Sequence, residues 1–176
     1  MDRFPCSAAW LSRWRAEVMD AVNGLLPAFE AAHGHRPGTN EVRVAGEEDL
    51  RAARAYGREF LAFGDGITFY ESIGEVVLPD AGKGCFVHSA RDVLHGLAER
   101  GPVFVPLADD PHGMVIASNG EGLRYVADRG GAIHRSRSAS PDEGEFDRIA
   151  DGLPQFLDHL GRCVVTFART GAVGDL

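Results

Sequence analysis

A chain of 176 residues is the size of one domain and buries roughly 70% of its unfolded surface, so its core needs neither metal nor disulfide. With 44% apolar and 25% charged residues it has the composition of a soluble globular protein. The net charge of −8 argues against nonspecific binding to nucleic acid, which needs a basic surface to displace counterions; it is compatible with a basic protein partner, or with solubility alone.

Cys6, Cys85 and Cys163 are odd in number and widely spaced, which fits three apolar side chains in a reducing compartment better than a disulfide framework or a zinc site. The first residues lack the basic and apolar regions of a signal peptide. No window reaches the roughly 18 apolar residues of a membrane span. The expectation is a cytoplasmic protein without a membrane segment.

Residues 8–33 have apolar side chains at three- and four-residue steps: Trp10, Leu11, Trp14, Val18, Val22, Leu25, Leu26 and Phe29. They predict a helix capped by Ser7 and broken near Asn23-Gly24 and Pro27. The tryptophans lie on the apolar stripe and read as core rather than as an aromatic binding face. Residues 33–46, rich in Gly, Pro and Asn, read as a loop and the one candidate linker. His33 and His35 within it lack a third metal ligand. Residues 47–63 predict a second helix, with Glu47, Glu48 and Asp49 at its positive end and Leu50, Ala53, Phe60 and Leu61 inward. Gly57 falls on the same face. A short helix is expected to close on Gly74.

Short strands are expected over 75–80 and 84–89, then a helix capped by Ser89 with Val93, Leu94 and Leu97 inward. Four strands follow over 103–110, 113–118, 123–128 and 132–138, separated by DPH, NGEG and RGG, as in an antiparallel meander. Asn119-Gly120 reads as the dipeptide that supplies positive φ to a hairpin. In the RSRSAS stretch, alternation sets Arg135 and Arg137 against His134, Ser136 and Ser138 on what reads as a solvated strand. Residues 146–151 add an edge strand. A last helix starts at Leu153, with Asp151 as its cap and Pro154 in its first turn; the tail after it reads as frayed. Helices, then a sheet, then a helix make an α+β fold: N-terminal helices, a central antiparallel meander and a C-terminal helix packed on it.

The chain has no dinucleotide fingerprint, phosphate loop, GxSxG elbow, HExxH, CxxC or EF-hand loop. Cys85 and His88 are three positions apart, so a strand would turn them to opposite faces. His88, His95, His112 and His134 are scattered, and one of them could pair with Asp109 or Asp110 as a general base. The DDPHG stretch (109–113) reads as a turn, with too few neighbours for a metal site. No residue stands out as catalytic, cofactor-binding or metal-binding.

Residues 69–94, with Ile73, Gly74, Leu78, Pro79, Gly84, Phe86, Val87 and His88, resemble the SUKH superfamily in its Smi/Knr branch. The resemblance continues through Ser118, Asn119, Gly120, Gly122, Tyr125, Gly131, Ile133, Phe156 and Leu157, and covers about residues 60–160 of one SUKH-like domain. The first 45 residues match no part of it and read as an N-terminal helical elaboration. The resemblance implies an α+β binding scaffold without catalytic residues or cofactor. In bacteria many such proteins are immunity proteins that block a toxin, often a nuclease or deaminase; fungal relatives regulate cell-wall assembly through protein contacts. The expected function is a non-catalytic module that neutralises a cognate toxin, with a regulatory scaffold as the second reading and a small-ligand-binding protein or enzyme as the third. Candidate partner contacts are the acids Asp109, Asp110, Glu121, Asp142, Glu143 and Glu145, each of which could equally serve solubility.

Overall fold

The computed structural model describes residues 6–106, 108–140 and 144–176. The chain opens with α1 (Ala8–Leu25), a 3-10 turn (Leu26–Ala28) and the short α2 (Phe29–His33). Then come β1 (Glu41–Val44), α3 (Glu47–Gly57), α4 (Gly64–Ser72), β2 (Ile73–Leu78), β3 (Cys85–Val87), α5 (Ala90–Arg100) and β4 (Val103–Phe104). The second half is β5 (His112–Asn119), β6 (Arg124–Asp128), β7 (Ile133–Ser136), β8 (Phe146–Ala150) and α6 (Leu153–Thr170).

The strands form one eight-stranded sheet in the order β1-β2-β3-β5-β6-β7-β8, with every pairing antiparallel. β3 and β4 share one edge of β5: β3 takes its end (Cys85 opposite Asn119) and β4 its start (Phe104 opposite His112). α5 is the crossover between them. The expected α+β fold is therefore present, with a meander from β5 to β8.

The main core joins both ends of the chain. Leu11, Trp14, Val18 and Val22 of α1 pack with Phe156, Leu157, Leu160 and Val164 of α6 in one buried cluster. Trp14 Nε1 donates to Leu157 O at 2.6 Å, satisfying the indole where it is 5% exposed. Gly161 admits the ring, because a Cβ there would lie 2.8 Å from Trp14 Nε1. Tyr125 of β6 meets Phe156 with ring centroids 5.2 Å apart, tying α6 to the sheet. A smaller cluster of Val105, Val126 and Phe146 forms on the opposite face. The N-terminal segment from α1 to β1 thus contributes to the core through Leu11, Trp14, Val18, Val22 and Val42, and α1 packs on α6.

Ser7 and Ser89 cap α1 and α5 as expected, their hydroxyls accepting from Trp10 N and Asp92 N at 3.2 Å each. Several expectations fail for local reasons. The 33–46 loop contains β1, an edge strand whose Val42 is fully buried. α3 stops at Gly57, so Gly57 is exposed rather than inward, and Phe60 lies beyond the helix at 68% exposure. Leu50, at 37%, is outward as well. α4 already begins at Gly64 and ends at Ser72, which puts Gly74 inside β2. β4 has two residues where eight were expected.

α6 starts from Gly152 without a side-chain cap; instead the Gln155 side chain accepts from Asp151 N at 2.7 Å. The residues after α6 are held: Arg135 donates to Asp175 at 2.9 Å and to the carbonyl of Leu176, whose side chain packs on the core. The stretch 133–136 is not a solvated strand, because His134 and Ser136 are buried, at 2% and 1% exposure. Their polar atoms are satisfied internally. His134 Nε2 lies 2.8 Å from Asp128 Oδ2, and Ser136 Oγ accepts from Arg124 N and donates to Ser138 O.

Candidate functional site

The sheet has two ends that carry the predicted acids, and they are far apart. β5 runs between them for eight residues, roughly 24 Å at about 3.4 Å per residue.

At one end, the start of β5 is flanked by β4 and by the turn after β6, through the registers Phe104 with His112 and Gly113 with Asp128. Asp110 Oδ1 accepts from His112 N and lies 3.1 Å from His112 Nδ1, closing the turn that Pro111 begins. Its other oxygen is 3.7 Å from Arg129. The His112 amide, then its ring, holds the Asp110 carboxyl below its ordinary value. Arg129 places its guanidinium carbon 3.7 Å over the ring of Phe60, a cation–π contact. Phe60 is brought there because the chain after α3 is anchored by Phe63, whose ring packs on Gly131. Gly131 has φ +92° and leaves the space that a side chain would fill. Phe60 and Phe104 are 68% and 58% exposed. Asp109, next to Asp110 in the chain, is exposed.

At the other end is the β5–β6 hairpin. Asn119 Oδ1 accepts from both Glu121 N and Leu123 N at 3.0 Å, so one side chain orders the turn. The positive φ belongs to Gly122 (+87°), not to Gly120 as the dipeptide suggested. Gly120 serves close approach instead: its amide donates to Lys83 O at 2.9 Å, and a Cβ there would collide with that carbonyl oxygen. Glu121 is paired with Lys83 at 3.2 Å. Glu145 is exposed just before β8. Asp142 and Glu143 lie outside the described residues. The six predicted acids therefore do not form one patch: Asp109 and Asp110 are at one end, Glu121 at the other.

A groove of about 620 Å³ opens along α5, bordered by β4 and by the starts of β5 and β6. It was not visible in the sequence. Val93, Leu97, Met114 and Val115 give it apolar walls, and Arg100 and Arg124 project charge into it. His88 also lines it, its amide bonded to Ile116 O at 2.9 Å. Burial, then the Arg124 charge, holds the His88 imidazole below its ordinary value, against the opposing pull of Asp92. Cys85 sits in the main core away from this groove, its thiol pushed up to about 12 by burial. The Cys85–His88 pair is thus separated, as the strand alternation predicted.

Among the described residues no three His, Cys, Asp or Glu side chains are grouped to hold a metal ion, and no helix is long and apolar enough to cross a membrane. Three histidines stand beside carboxylates among the described residues, His95 with Glu99 on the exposed side of α5 being one of them. His134–Asp128 is sealed in the interior, and His112–Asp110 is part of the exposed turn. Comparison with protein-family models and with curated proteins finds no match.

Proposed function

We propose that the protein is a non-catalytic protein-binding module that acts as an immunity protein, occupying and neutralising a cognate toxin. The observation that carries this reading is the surface made by Phe60, Arg129 and Asp110. It holds a large aromatic side chain in solvent, capped by an arginine that a carboxylate orients. Aromatic and arginine side chains are the residue types that dominate binding energy at interfaces. Phe104, also exposed, borders the same end of the sheet through its register with His112.

The charge of −8 supports a basic partner such as a nuclease or deaminase toxin, because opposite net charge speeds encounter. Asp109 and Asp110 would meet that partner directly; Glu121 and Glu145 would contribute to the long-range field. The resemblance to the SUKH superfamily supports the same role. A regulatory scaffold would use such a surface too, and the two differ in whether the bound partner loses a toxic activity.

The test is to purify the protein with its partner from the native host, identify the partner and assay its toxicity. Phe60→Ala and Arg129→Ala should then each weaken binding by roughly tenfold or more at unchanged melting temperature. Full protection of cells by both variants would remove this surface from the interface.

A further inference from the structure

We infer that the groove beneath α5 receives an acidic, partly apolar segment of a protein partner, with Arg124 holding its carboxylate. The inference rests on the reading of the protein as a binding module and names a second contact for it.

Arginine pairing is the key observation. Four arginines are half-buried among the described residues: Arg15, Arg43, Arg124 and Arg135. Arg15 donates to Val42 O at 2.6 Å. Arg43 is paired with Asp49 and Glu75, and Arg135 with Asp175. Arg124 has its backbone amide satisfied by Ser136, but its guanidinium has no carboxylate or carbonyl partner among the described residues. A partly desolvated guanidinium normally finds an acceptor, since its planar fork of donors suits a carboxylate. Here the fork faces a groove.

The acids around it do not fill that role. Asp92 accepts from the Ser89 hydroxyl at 2.9 Å and from no arginine within ion-pair distance. Glu99 lies beside His95 at 3.3 Å. Arg100 adds a second cation: it folds back over Gly96, where a Cβ would lie 2.9 Å from its Nη2, and so lies along α5 toward the groove. Two arginines that face a groove with no acid partner among the described residues, in a protein of net charge −8, favour an anionic group there.

Size and lining select the kind of anion. A volume of about 620 Å³ far exceeds one carboxylate or phosphate group. The half-buried Leu97 and Val115 and the exposed Phe104 leave apolar area in the groove that needs an apolar neighbour beside the charge. A peptide segment with Asp or Glu next to an aliphatic or aromatic residue supplies both. A polyphosphate or nucleic acid would leave Leu97, Val115 and Phe104 uncovered.

The experiment uses the full chain and an array of ten-residue peptides that combine Asp, Glu, Lys or Arg with Leu or Phe, read by fluorescence anisotropy. The acidic–apolar peptides should bind. Arg124→Gln should weaken them by roughly ten- to a hundredfold, the effect of losing a charge-assisted bond, with Arg124→Lys between the two. Melting temperatures of all three proteins establish that the variants are folded. Selection of basic peptides, equal binding by Arg124→Gln, or no binding at all would overturn the inference. So would binding of benzoate or phenyl phosphate in place of the peptides, which would mark a small-molecule site. If Arg124→Gln captures the native partner as well as the parent protein does, the groove is excluded while the binding-module reading stands. If no protein partner exists yet the peptides still bind through Arg124, the opposite holds.

Discussion

The two faces of the sheet are built for different ends. The face toward α6 is closed: Tyr125, Ile133 and Ala127 meet the α1–α6 layer, and its one buried indole N–H is bonded. The opposite face is closed only over part of its area, by the small cluster around Val105, Val126 and Phe146. Beside it lies the groove, where His88 and Arg124 are half-buried and whose Val93 and Met114 reach back into the main core. Burial on the first face fixes the fold; along the groove the Arg124 guanidinium has no acid partner among the described residues. Substitutions should separate the two accordingly.

The largest effect is expected at Trp14. Trp14→Ala removes a nearly fully buried ring and the indole bond to Leu157 O, and it should cost about 3–5 kcal/mol in urea unfolding. Trp10, one turn earlier and only partly buried, serves as the internal control and should cost clearly less. Equal costs would mean that the α1–α6 seam is not the main support of the closed face.

Gly120→Ala should come next, at about 1–3 kcal/mol, because the new methyl meets the Lys83 carbonyl oxygen, a backbone atom that cannot swing away. The neighbouring Lys83–Glu121 pair is exposed, so its removal should change stability by less than about 1 kcal/mol. This pair of measurements separates the two roles of the hairpin: the glycine holds β3 against β5, and the exposed Lys83–Glu121 pair at the tip can be given up to a partner at little cost to the fold. A neutral Gly120→Ala would show that the hairpin can shift away from Lys83.

Much of the closed face is legible in the sequence because its signals are local. The α1 stripe, the Ser7 and Ser89 caps and the spacing of β5 to β8 each follow from residues a few positions apart. β1 escaped because four residues with one fully buried side chain, Val42, give too little alternation to stand out in a Gly- and Pro-rich stretch. Phe60 was placed inward because the periodicity was continued past Gly57, where the helix ends. The groove could not be read at all. Arg124 at the start of a strand looks like any solvated cation; it is α5, crossing from β3 to β4, that encloses it, and that enclosure is a property of the topology. The two exposed phenylalanines, and an arginine without an acid partner among the described residues, thus become visible only when distant segments are brought together.

The smallest expected effect is the most direct probe of the open face. His88 is held below its ordinary value of 6.5, first by burial and then by Arg124, with Asp92 opposing and Arg100 adding to the depression. A histidine depressed in the folded state binds its proton more readily in the unfolded chain. Its contribution to stability is therefore full above about 6.5 and declines as pH falls from there toward the lowered value. His88→Gln should flatten the acid side of the stability profile between about pH 7 and 5, and Arg124→Gln should raise the His88 value in an NMR titration by removing the charge that faces it. If the imidazole titrates identically with and without Arg124, the two do not share the groove. A shift on removing Arg124 combined with an unchanged Trp14-dependent stability would show that the open face can be retuned without cost to the closed one.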